Sequence, residues 1–107
     1  MATATVQAGI CGMSARIVCT ADEAYNVSVA IESDCPRIQA FARALGEVAV
    51  LGEMRTPLNE TSVYRAAGAA GLHAACPVPS ATYKAIEVAA GLALPADVHI
   101  TVSKETG

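Results

Sequence analysis

Residues 26–45 read N-V-S-V-A-I-E-S-D-C-P-R-I-Q-A-F-A-R-A-L, and within them the spacing of apolar residues changes once, at Cys35-Pro36. Before it, Val27, Val29 and Ile31 alternate with Asn26, Ser28 and Ala30, the period of a half-buried strand. After it, Ile38, Phe41, Ala42 and Leu45 fall at i, i+3, i+4 and i+7, one face of a helix, with Gly46 placed to end it. A strand that runs directly into an amphipathic helix has to turn back over its own sheet. The fold is therefore expected to be a sheet with helices laid on it.

Working outward to the N-terminal side, Ala4, Val6, Ala8 and Ile10 alternate with polar or small residues, and Ala15, Ile17 and Cys19 do so again after Gly9-Ile10-Cys11-Gly12. This predicts two strands around a bend at the glycines, with Asp22-Glu23 as the polar link to the third. On the C-terminal side, Glu47 to Pro57 is expected to be irregular or a single turn. Asn59 is expected to cap a helix burying Val63, Ala66, Ala67 and Ala70, with Gly71 as its stop. A third helix is expected from about Ser80 to Ala90, with Ser80 as its cap. Val98, Ile100 and Val102 then alternate like a last strand lying beside the first. The expected order is β-β-β-α-α-α-β, an α+β fold in which an antiparallel sheet carries helices on one face.

Length and composition bound the rest. A chain of 107 residues makes one domain, 1–107, and its 53% hydrophobic content contains no Trp and one Phe, so Val, Ile, Leu and Ala must fill the core. A net charge of -3 with scattered basic residues gives no footprint for nucleic acid or for anionic lipid. No apolar run reaches the ~20 residues of a spanning helix, and the N-terminus lacks the plan of a signal peptide. The expected location is cytoplasmic, where four cysteines mean reduced thiols, metal ligands or catalysis more often than disulfides.

Three of those cysteines stand in turn-like settings. Cys11 lies in A-G-I-C-G-M, Cys35 precedes Pro36 at the helix start, and Cys76 precedes Pro77 in L-H-A-A-C-P-V-P-S at the start of the last helix. A helix N-terminus favours a thiolate over a thiol, and thiolates bind soft metals. His73, three residues before Cys76, is the candidate fourth ligand, and Asp34 offers an oxygen. Cys19 continues the inward alternation of its strand and reads as core, while His99 reads as solvated. Gly68-Ala69-Ala70-Gly71 has neither the preceding strand nor the lysine of a phosphate loop. Ser80, His73 and Asp34 make no triad on residue type alone.

The order of these residues resembles the IscU/NifU-type iron-sulfur cluster scaffold family. The resemblance rests on Cys11-Gly12 followed by a strand hairpin, on Cys35 opening a helix, and on a His-then-Cys pair opening the last helix. It covers roughly Cys11 to Leu92. Met13 stands where the scaffolds carry an aspartate, His73 is not adjacent to Cys76, and the L-P-P-V-K chaperone motif is absent. The whole chain also looks like a small uncharacterised family from anaerobic microbes. The resemblance implies a scaffold or carrier for zinc or an iron-sulfur cluster, held by Cys11, Cys35, Cys76 and His73 and exchanged with cluster-donor or acceptor proteins. Two other readings stand beside it. One is thiol redox or sulfur transfer through Cys35 and Cys76. The other is a structural or interaction module, pairing with a second copy or a partner protein through its sheet or alanine-faced helices, whose thiols are simply buried.

Overall fold

The computed structural model describes residues 1–105. Three strands, β1 (Ala2–Gln7), β2 (Ser14–Ala21) and β3 (Asn26–Ser33), are followed by helix α1 (Pro36–Leu45), a short strand β4 (Glu47–Ala49) and one turn of helix, α2 (Val50–Glu53). A 3-10 turn at Leu58–Glu60 leads into α3 (Ser62–Ala69), and α4 (Val78–Ala89) closes the order. The four strands form one antiparallel sheet in the order β1-β2-β3-β4. The α+β class expected from the alternation is the class observed.

Alternation decides which face of the sheet is covered. Val6, Ala15, Ile17, Cys19 and Val27 are buried, while Thr3, Thr5, Arg16, Thr20, Ser28 and Glu32 on the other face are exposed. α4 lies on β1 and β2, and α1 lies on β3. The stripe of α1 that the i, i+3, i+7 spacing selects, Ile38, Phe41 and Leu45, is the buried one. Phe41 sits at the centre with no exposed surface. Complete burial of such a side chain contributes about 3 kcal/mol of transfer free energy.

Two expectations about order are corrected. The segment Val98 to Val102 forms no strand, and it is exposed. The fourth strand is β4, which pairs with β3 through Asn26↔Ala49, Val27↔Val48 and Ser28↔Glu47. The reason lies at Gly46, whose positive φ of 62° ends α1 and returns the chain to the sheet. Val48 then fills the core beside Val27, both fully buried. A run too short to be assigned by period thus becomes a strand because an edge lies beside it.

Helix boundaries shift for local reasons. Thr61, not Asn59, caps α3, its hydroxyl oxygen accepting from the Tyr64 amide at 3.4 Å, while Asn59 lies in the 3-10 turn. α4 begins at Val78, with Pro77 as its cap residue, so Ser80 lies inside the first turn and donates to the Pro77 carbonyl instead of capping. The buried stripe of α4 is Val78, Thr82, Ala85 and Ile86. Thr82 is buried because its hydroxyl donates to the Val78 carbonyl at 2.8 Å, which satisfies it within the helix. No helix among the described residues is long and apolar enough to cross a membrane.

Candidate functional site

The register of the sheet places the first two thiol-bearing segments at one end. β1 and β2 pair up to Gln7↔Ser14, and β2 pairs with the end of β3 through Ala15↔Ser33. Cys11 lies in the loop that joins the first pair, and Cys35 lies two residues beyond Ser33. The Ser33 hydroxyl ties the two strands further, donating to the Ser14 carbonyl at 2.7 Å. The Cys35 amide donates to that same hydroxyl at 3.1 Å, and the Gln39 side chain donates to the Ser33 carbonyl. Cys35 is thereby held as the N-cap residue of α1, with extended backbone and its carbonyl accepting from the Gln39 amide.

The third segment reaches the same end through a side-chain contact. Gly71, at a positive φ of 72°, ends α3, and the chain turns through His73, whose carbonyl accepts from the Cys76 amide at 3.0 Å. The guanidinium of Arg37, in the first turn of α1, donates to Nε2 of His73. That contact ties the loop before α4 to the start of α1. The Cys11 and Cys35 segments therefore lie at one end of the sheet, and the loop carrying His73 and Cys76 is tied to the start of α1 there.

Their settings differ. Cys11 is exposed, whereas Cys35 and Cys76 are half-buried against the core and His73 is exposed. All four cysteines, Cys19 included, are free thiols. Among the described residues, no three His, Cys, Asp or Glu side chains stand as a group able to hold a metal ion. The four residues do not form a ready-made coordination sphere.

A cleft of about 410 Å³ opens beside Cys76, lined also by His73, Leu72, Pro77, Tyr64 and Ile100. A second cleft of about 340 Å³ lies on the other side of Tyr64, along α2 and α4. Here Glu53 Oε1 accepts from the Tyr83 hydroxyl and from the Ser62 amide, each at 2.7 Å. Burial, chiefly, pushes the Tyr83 hydroxyl well above its ordinary range, and the Glu53 carboxylate pushes the same way. Tyr64 stacks on Tyr83 with ring centroids 6.1 Å apart. Glu53 thus secures the start of α3 and the middle of α4 together. In sequence Glu53 reads as a solvated charge, and nothing in the spacing relates it to a tyrosine thirty residues on.

Cys19 gives the contrast among the thiols. It has no exposed surface, and burial pushes it up from 9.0 to about 11, against a small opposing pull from the N-terminal amino group. It packs as the core residue its alternation predicts.

With this arrangement in view, the model of a family of unknown function, DUF6951, matches residues 2–102. The chain belongs to that family. No curated protein and no solved structure matches it. DUF6951 membership spans the sheet, all four helices and the three thiol-bearing loops, but brings no activity with it.

Proposed function

We propose that this DUF6951 protein is a thiol-dependent scaffold or carrier that takes up a soft metal ion or an iron-sulfur cluster on Cys11, Cys35 and Cys76, with His73 as fourth ligand. The observation that supports this reading is the placement of the Cys11 and Cys35 segments at one end of the sheet, through the Gln7↔Ser14 and Ala15↔Ser33 registers, with the His73 loop linked to the start of α1 by Arg37. The resemblance to IscU/NifU-type scaffolds in the order of the same residues supports it. Thiolates and a neutral imidazole are the donors that zinc and iron-sulfur clusters favour. Uptake requires the Cys11 loop to close towards α1 and His73 to release Arg37, so the cargo is held loosely and passed on to partner proteins. Such a site suits delivery more than turnover.

The test is the zinc, iron and acid-labile sulfide content of protein purified without oxygen, compared with Cys35→Ser and Cys76→Ser. Near-stoichiometric metal that drops in both variants, with the fold retained by circular dichroism, supports the reading. Equal content in all three proteins, or none in any, overturns it.

A second reading, thiol redox or sulfur transfer, is favoured by one observation. Cys35 and Cys76 are half-buried on segments joined by Arg37 and His73, and Cys76 opens on a cleft large enough for a small substrate. It requires Cys76 to be alkylated much faster than a free thiol near neutral pH, and comparable rates would remove it.

A further inference from the structure

The described structure leaves two complementary elements unsatisfied. One is the outer edge of β1. The sheet order places β1 at an edge with its far side unpaired, and its six residues, Ala2–Gln7, contain no charge and no proline. Edge strands are ordinarily protected by such residues, by bulges or by a covering element, because their free N–H and C=O groups recruit other strands. The opposite edge, β4, is only three residues long and offers little to pair with.

The other element is the segment 97–103, D-V-H-I-T-V-S. It is rich in β-branched residues and alternates apolar with polar ones. It takes part in no strand, and the apolar members are exposed: Val98 by 56%, Ile100 by 75% and Val102 by 88%. Ile100 lines the cleft beside Cys76. A strand-forming segment and an unprotected strand edge of matching length therefore coexist in one chain without meeting.

We propose that the segment 97–102 pairs with the β1 edge of a second copy of this chain, and that the second copy returns its own segment in the same way. The exchange is isologous, so each sheet gains a fifth strand and both free edges close at once. Backbone hydrogen bonds along β1 give the affinity. Seating Val98, Ile100 and Val102 on the α4 side, in line with Ala4 and Val6, sets the register; His99 and Thr101 then lie with Thr3 and Thr5 on the exposed face. The pairing is independent of any metal and stands whether or not the thiols bind one.

The experiment is sedimentation velocity of the full chain over a concentration series, in reductant and with Cys11→Ser to remove disulfide dimers. It is paired with hydrogen exchange of the backbone amides and repeated on Ile100→Pro and Ile100→Val. The expected result is a concentration-dependent dimer in which residues 2–7 and 97–102 gain protection together. Ile100→Pro should weaken it at least ten-fold without changing the circular dichroism of the monomer, while Ile100→Val leaves it intact. A monomer at every concentration overturns the proposal, as does a dimer indifferent to Ile100→Pro. Protection of 97–102 in a monomer also overturns it, since the segment would then be pairing within its own chain.

Discussion

Cys19 lies within strand β2 and Cys35 just beyond the end of the neighbouring strand β3, and the two thiols differ in burial and in surroundings. Cys19, on the inner strand β2 opposite Val29, has no exposed surface, and burial pushes its ionisation up to about 11. Cys35, at the end of β3, is half-buried at the mouth of α1 with its backbone held by Ser33. Burial under the helices suppresses ionisation of a thiol by removing water, while the sheet end leaves Cys35 partly wet. Place in the fold, not residue type, separates a fully buried thiol from a half-buried one here.

The largest effect on that contrast should come from emptying the middle. Phe41→Ala removes the one large aromatic under α1 and is expected to cost about 3–5 kcal/mol, read as a lower midpoint in urea. If the end of the sheet is organised independently of the middle, Cys76 alkylation in the folded fraction should change little.

Next, Cys19→Ser puts a hydroxyl where no partner waits and should cost about 1–3 kcal/mol. The wild-type thiol also predicts a pH dependence. Unfolded chain loses the Cys19 proton near 9.0 whereas folded chain keeps it until about 11, so stability is fully present below 9.0 and declines as pH rises between those values. Cys19→Ala should flatten that alkaline limb in urea titrations at successive pH values. An unchanged limb would assign it to other groups.

Smaller still is the expected cost at the end of the sheet. Cys35→Ser and Cys76→Ser should each lower stability by less than about 1 kcal/mol, because both positions already border solvent. A loss as large as that of Cys19→Ser would make them core residues and erase the distinction. The smallest change is expected for Cys11→Ser, within ~0.5 kcal/mol by thermal melting. Cys11 should also be the first thiol labelled by a bulky maleimide in the native protein, and Cys19 the last, as mass spectrometry of timed aliquots would show.

Much of this was legible in the residues. Period-two spacing located β1, β2 and β3, and the change at Cys35-Pro36 located α1 with its buried stripe. The same alternation assigned Cys19 to the core. β4 was not legible, because three residues carry no period. Nor was the fate of Val98, Ile100 and Val102, since alternation shows that a strand can form but not that a partner edge is within reach. At the candidate site, Cys-Pro pairs marked Cys35 and Cys76 as helix-mouth residues, and the glycines marked the Cys11 bend. The Arg37 to His73 and Glu53 to Tyr83 pairs left no trace, being contacts between elements that only packing brings together.

The sequence by itself determined the local terms: which segments extend, which coil, which faces avoid water, and where helices start and stop. Those follow from side-chain spacing and backbone preference within a few residues. Tertiary structure alone decided that β4 completes the sheet, that Arg37 engages His73 on the loop before α4, and that β1 is left with a free edge. These depend on which distant surfaces come into contact, and a contact's energy is not written in either partner alone.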